Sequence, residues 1–166
     1  MQAQNQAEPP MVDIEQNRRQ KRENFLNQHL DLSKIDISPL PGDASFRRYY
    51  RLTGADRALM LMEDPPDRPP VPPFVMVEPF YNIATHLQTL GVSVPEIIAY
   101  EMENGLMLIE DFGDAQFAKV IGKTPALETD LYRAATDVLC HLESSPLPKD
   151  VPNVTPEVLG QMIEPA

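Results

Sequence analysis

The chain has no tryptophan, one cysteine and only three histidines among its 166 residues. With Cys140 alone, no disulfide can close within the chain and no site built on several thiolates can form. Such cysteine usage suits a reducing compartment, and the expected location is the cytoplasm. Positive charge is also scarce. Lys and Arg number 14 against 25 Asp and Glu, for a net charge of −11. A surface of that sign repels phosphate backbones, so no nucleic-acid partner is expected. No apolar run approaches the roughly 20 residues of a membrane-spanning helix. The opening MQAQNQAEPP has neither the charged nor the apolar part of a signal peptide. No membrane association is expected. The one basic run, Arg18, Arg19, Lys21 and Arg22, is interleaved with Gln and Glu and reads as the wet face of a helix.

Proline is abundant, with 18 residues, and its placement divides the chain. Residues 1–10 are polar, end in a Pro pair and read as a disordered tail. Residues 11–31 lack Gly and Pro, and Ile14, Phe25, Leu26 and Leu30 give them a loose helical stripe. IDISPLP, from Ile35, is strand-like. After the small polar run Gly42-Asp43-Ala44-Ser45, the segment FRRYYRL alternates Phe46, Arg48, Tyr50 and Leu52 with Arg47, Tyr49 and Arg51. Period two and aromatic content predict a strand. A turn at 53–56 leads to its partner, RALMLME.

Seven prolines from Pro65 to Pro79 cannot enter a sheet interior or a helix middle, so they predict an extended connection. A ligand for an aromatic groove is the weaker reading of that run. Phe80, Ile83, Ala84, Leu87 and Leu90 then carry a helix as far as Gly91. PEIIAYEM, a turn at Asn104-Gly105 and LMLIE predict a second hairpin. Helices follow over 114–121 and 124–144, the longer carried by Leu127, Leu131, Ala134, Ala135, Val138, Leu139 and Leu142. A last one starts at Thr155-Pro156.

That order predicts an α+β fold. Residues 32–113 make a five-stranded antiparallel sheet plus one helix, the small lobe of a kinase-like fold. Residues 114–166 are linker helices and the start of a large lobe that the chain leaves incomplete.

Asp111-Phe112-Gly113 spells the magnesium-binding tripeptide of protein kinases. Here it follows two hairpin strands rather than a catalytic loop, and none of the histidines is read as part of such a loop. Asp111 is therefore placed at the hinge. There, backbone N–H and C=O groups read a base edge, while the Glu110 and Asp111 side chains face solvent. Gly122-Lys123-Thr124 is a second decoy. A phosphate loop needs Gly where Phe117 stands, and a strand before it. Gly122 reads as a helix stop and Thr124 as an N-cap. Gly42–Ser45 is the better anion cradle, because small residues let backbone N–H groups approach a phosphate. An ordinary turn is an equal reading of it.

Four stretches, PLPGDASFRRYYRL (39–52), LMEDPP (61–66), PFYNIATHLQTLGVSVPEI (79–97) and GLMLIEDFGDAQFAKVI (105–121), together resemble the aminoglycoside phosphotransferase superfamily. The resemblance is strongest to its bacterial anomeric kinases of N-acetylmuramate and N-acetylglucosamine. It implies ATP and Mg²⁺ as cofactors and phosphoryl transfer to an amino sugar in cell-wall recycling. It also makes Gly42, Asp43, Ala44 and Ser45 the phosphate-side loop, and Glu110, Asp111 and Phe112 the adenine hinge. The family's His-x-Asp catalytic loop and metal-binding Asp belong to the large lobe. No catalytic or metal-binding residue is thus assigned, and the chain alone is expected to be inactive.

Three departures from the family stand out, one of them a connection over 64–78 that is longer and richer in proline. The third strand offers Met60 and Met62 where such folds often carry a Lys, and the helix 80–90 has no Glu to pair with one. An Arg of FRRYYR must serve instead. Alternation favours Arg47 or Arg51, because Arg48 shares its face with core residues. The alternative is a non-catalytic module of the same fold, using the exposed face of helices 125–144 and 155–164 to bind a partner or self-associate.

Overall fold

The computed structural model describes residues 11–42, 47–64, 77–149 and Pro156. The tail 1–10, the loop residues Asp43–Ser45, the proline run over 65–76 and the last helix beyond Pro156 lie outside the described residues. In chain order the elements are α1 (Met11–Asn27), β1 (Asp36–Pro39), β2 (Arg48–Thr53), β3 (Leu59–Glu63), α2 (Val77–Thr89), β4 (Ile97–Glu101), β5 (Leu106–Glu110), α3 (Phe117–Lys123) and α4 (Glu128–Glu143). The strands form one antiparallel sheet in the order β1-β2-β3-β5-β4. With α2 inserted after β3, this is the α+β, kinase-like small lobe that the pattern predicts.

Period-two alternation gives the sheet two apolar faces. One carries Tyr50, Leu52, Leu59, Leu61, Leu106 and Leu108, and Phe25 and Leu26 of α1 pack onto it. The other carries Met62, Met107 and Ile109, capped by Val77 and, less deeply, Phe80 and Tyr81 of α2. Each helix thus covers one face, and each fully buried Leu contributes roughly 1.5–3 kcal/mol. Arg47, Tyr49 and Arg51 have the parity of the α2 face, as expected.

The basic run of α1 is not all wet. The Arg22 side chain is 11% exposed and donates from Nη1 to Glu63 Oε2 at 2.8 Å. Its guanidinium lies over the Tyr50 ring, 4.7 Å from the centroid, and Tyr50 Oη donates to the same Glu63 oxygen at 3.1 Å. Glu15 completes the group, accepting from Arg22 at 3.0 Å and from Arg48 at 2.6 Å. Burial opposes the Arg22 cation, but Glu63 and Glu15 outweigh it and raise its pKa. Burial, and then the Glu63 charge, raise that of the Tyr50 phenol. A buried carboxylate is tolerable only with such partners.

The β4–β5 connection is longer than a two-residue Asn-Gly turn. Met102–Asn104 form a 3₁₀ turn, and Gly105 follows at φ +66°. Its carbonyl accepts from the Asp64 N–H at 2.7 Å. A Cβ at Gly105 would sit 1.9 Å from the Asp64 carbonyl oxygen. Close approach of two backbones, as well as the turn, requires the glycine.

Element ends differ from the sequence reading at three further points. The helix α2 begins at Val77, so Glu78 enters its first turn, exposed. Gly122 does not stop α3, which ends at Lys123, and Thr124 makes no side-chain cap. Neither α3 nor α4 has a buried residue, and Val138 and Leu139 are 42% and 66% exposed. Two ring-nitrogen hydrogen bonds tie this part to α2 and the turn after it. His86 Nε2 donates to the Pro146 carbonyl and His141 Nε2 to that of Leu90, each at 2.9 Å.

Candidate functional site

The α2 face of the sheet has two polar ends, set by the direction of β2. At the start of β2, Arg47 Nη2 lies 3.8 Å from Asp64 Oδ2, with the guanidinium 5.7 Å from the Phe80 centroid. The Asp64 side chain is 2% exposed, so this cation sits on a buried carboxylate beside the loop that starts at Gly42. No atom crowds a Cβ at Gly42. Asp43, Ala44 and Ser45 fall outside the described residues.

The other end is where β5 leaves the sheet, the place read as the hinge. The Asp111 N–H donates to the Ala58 carbonyl at 3.1 Å and the Glu110 N–H to that of Glu96 at 2.9 Å. Phe112 comes next, itself 56% exposed, and its N–H has no partner among the described residues. Glu110 accepts from the Glu96 N–H through Oε2 at 3.2 Å. The tripeptide therefore stands where β5 leaves the sheet, as the sequence predicts.

The Asp111 side chain does not face solvent. It is 5% exposed, and both its oxygens are engaged. Oδ2 accepts from Arg51 Nε at 2.5 Å, and Oδ1 accepts from the Gly113 N–H at 2.7 Å. The latter closes a turn in which Gly113 has φ +73°. Arg51 also donates to both oxygens of Asp114, at 3.0 and 3.2 Å. The hydrogen bonds that Arg51 donates to Asp114 and then Asp111 raise its pKa, and the same bonds lower that of Asp114. A lowered carboxylate pKa stabilises the fold above the ordinary carboxylate range. That contribution fades as pH falls through the depressed value.

Arg47 and Arg51, read as interchangeable, are thus separated. Four strand residues put them about 13 Å apart, one at the loop and one at the hinge. Glu110, Asp111, Phe112 and Arg51 come together; Arg47 stands with Asp64 at the other end.

One triplet escapes the sequence reading above. His29-Leu30-Asp31 has the His-x-Asp spacing of a catalytic loop, but it precedes the sheet. Asp31 Oδ1 accepts from the Ser33 N–H and hydroxyl at 3.2 and 2.6 Å, so it caps the short turn Leu32–Lys34. The His29 ring stacks edge-on against Phe25 at 5.1 Å. Its role is structural.

No group of three or more His, Cys, Asp or Glu able to hold a metal occurs among the described residues. No described helix is long and apolar enough to cross a membrane.

Comparison with known proteins identifies the family. The model of the phosphotransferase enzyme family matches residues 36–160. The N-acetylmuramate/N-acetylglucosamine kinase of Pseudomonas aeruginosa is 36% identical over 109 residues, 66% of this chain and 30% of that protein. Its namesake in Pseudomonas putida is 30% identical over 128 residues, 77% and 35% of the two chains. That of Caulobacter vibrioides is 31% identical over 131 residues, 66% and 36%. The chain spans about a third of the length of these relatives. The five-stranded sheet lies within the matched residues, and the chain belongs to the phosphotransferase enzyme family.

Proposed function

We propose that this chain provides the nucleotide-holding lobe of an ATP-dependent amino-sugar kinase acting on N-acetylmuramate or N-acetylglucosamine. The observation that carries the reading is a kinase-like sheet whose last strand exits at Phe112, whose N–H has no partner among the described residues, inside the stretch 36–160 that the phosphotransferase family matches. In this reading residues 32–113 are the small lobe and 114–166 open the large one. The Phe112 N–H and neighbouring carbonyls meet the adenine edge. Gly42–Ser45 and Arg47 face the phosphates, where a cation offsets charge on the transferred group. Mg²⁺ would shield the phosphates, but the described residues offer it no ligand set, and Asp111 is committed to Arg51 and Gly113. A cytoplasmic place in cell-wall sugar recycling belongs to the same proposal.

The chemistry is displacement. The sugar hydroxyl oxygen bonds to the γ-phosphorus as the bridging P–O bond breaks, ADP leaves, and the hydroxyl proton passes to a base. No described residue is placed for that base. The test is transfer of label from [γ-³²P]ATP to either sugar by the product of the complete reading frame, beside the 166-residue chain. Labelled sugar phosphate from the former and none from the latter is expected. No transfer to either sugar contradicts the proposal. It would favour the second reading, a non-catalytic module, for which the exposed Val138 and Leu139 on α4 offer a surface.

A further inference from the structure

We infer that Arg51 is a clamp that fixes the hinge against the sheet, and so a positioning residue for the nucleotide rather than a phosphate ligand. The second half of this rests on the function proposed above; the first does not.

The guanidinium reaches from β2 across β3, where Met60 is the register partner of Arg51, to the segment leaving β5. There it grips two carboxylates at once. Nε and Nη2 take the two oxygens of Asp111, at 2.5 and 3.3 Å, and Nη1 and Nη2 take those of Asp114, at 3.0 and 3.2 Å. Bidentate Arg–carboxylate pairing fixes orientation as well as distance, and a Lys cannot reproduce it. Asp111 then holds the Gly113 N–H, and Asp114 also faces Lys119 of α3, whose Nζ is 3.9 Å away. One side chain therefore ties the second strand, the hinge turn and the helix that follows.

Three consequences are chemical. Four of the five guanidinium N–H groups are committed, so Arg51 has little donor capacity left for a phosphate. The backbone that would read a base edge, 110–112, hangs between the sheet ladder and the clamped Asp111. Losing the clamp frees the hinge without disturbing the core, because Arg51 lies outside both apolar clusters.

The test is amide hydrogen exchange of the 166-residue chain without nucleotide. In Arg51→Met, the amides of Asp111, Gly113 and Gln116 should exchange about tenfold faster or more, while those of β3 and β5 away from the hinge keep their rates. Arg51→Lys should fall between. Asp114→Ala, at a 65% exposed side chain outside both apolar clusters, should speed Gly113 and Gln116 by at least about threefold. Unchanged hinge exchange in Arg51→Met and Asp114→Ala overturns the clamp. In the product of the complete reading frame, Arg51→Met should raise the KM for ATP about tenfold with kcat nearly unchanged, the mark of lost ground-state positioning. Faster exchange with an unchanged KM overturns the positioning role alone. A wild-type protein that never binds ATP overturns the proposed function and leaves the exchange result standing.

Discussion

Glu63→Ala should destabilise the protein by roughly 3–5 kcal/mol, the usual cost of removing one partner from a buried ion pair. The Glu63 side chain is 3% exposed and its Oε2 accepts from both Arg22 and Tyr50. Its removal leaves Arg22 nearly buried, with Glu15 as its remaining anion, and takes away the acceptor of the Tyr50 hydroxyl proton. Against a typical total of about 5–15 kcal/mol, that is a large fraction. Urea unfolding followed by circular dichroism measures it. The double variant Arg22→Met/Glu63→Leu should recover most of the loss, because neither charge is then left unpaired. A single-variant cost below about 1 kcal/mol would mean that water reaches this group and that α1 is not anchored through it.

Gly105→Ala should cost about 3 kcal/mol or more, from strain and collision together. The left-handed φ of +66° disfavours any Cβ by roughly 1–2 kcal/mol. The added atom would also lie 1.9 Å from the Asp64 carbonyl oxygen, which is backbone and cannot turn aside. The Asp64 N–H to Gly105 carbonyl bond must then lengthen, at the place where β3 leaves the sheet. Gly91→Ala is the control. Its φ is +75°, yet nothing lies within 4 Å of its Cβ position, so only the strain remains. Equal thermal shifts for the two variants would remove the packing half of the argument.

The two faces of the sheet were legible in the sequence because alternation is local. Tyr50 and Leu52 against Arg47 and Arg51 follows from period two, whatever the fold. The place of Asp111, just past the end of β5, was legible from strand order. The turn that Asp111 closes has an ordinary signal, Asp two residues before Gly, but from sequence alone the side chain reads as solvent-facing. Long-range partners were not legible. Arg22 lies 41 residues from Glu63 and Arg51 lies 60 from Asp111, and nothing in either segment announces the other. The same holds for Glu78, which joins α2 because helices start by capping and packing, not at the nearest proline. The separation of Arg47 from Arg51 needed only strand geometry and could have been drawn from the sequence.

The central claim is that the α2 face of the sheet and the hinge hold a nucleotide. Photolabelling the product of the complete reading frame with 8-azido-ATP, with peptide mapping by mass spectrometry, tests it most directly. The account predicts label on peptides containing Tyr49–Met62 or Ile109–Gly113, suppressed by excess ATP and not by an amino sugar alone. Label confined to peptides outside these segments, or label that ATP does not compete away, would contradict it.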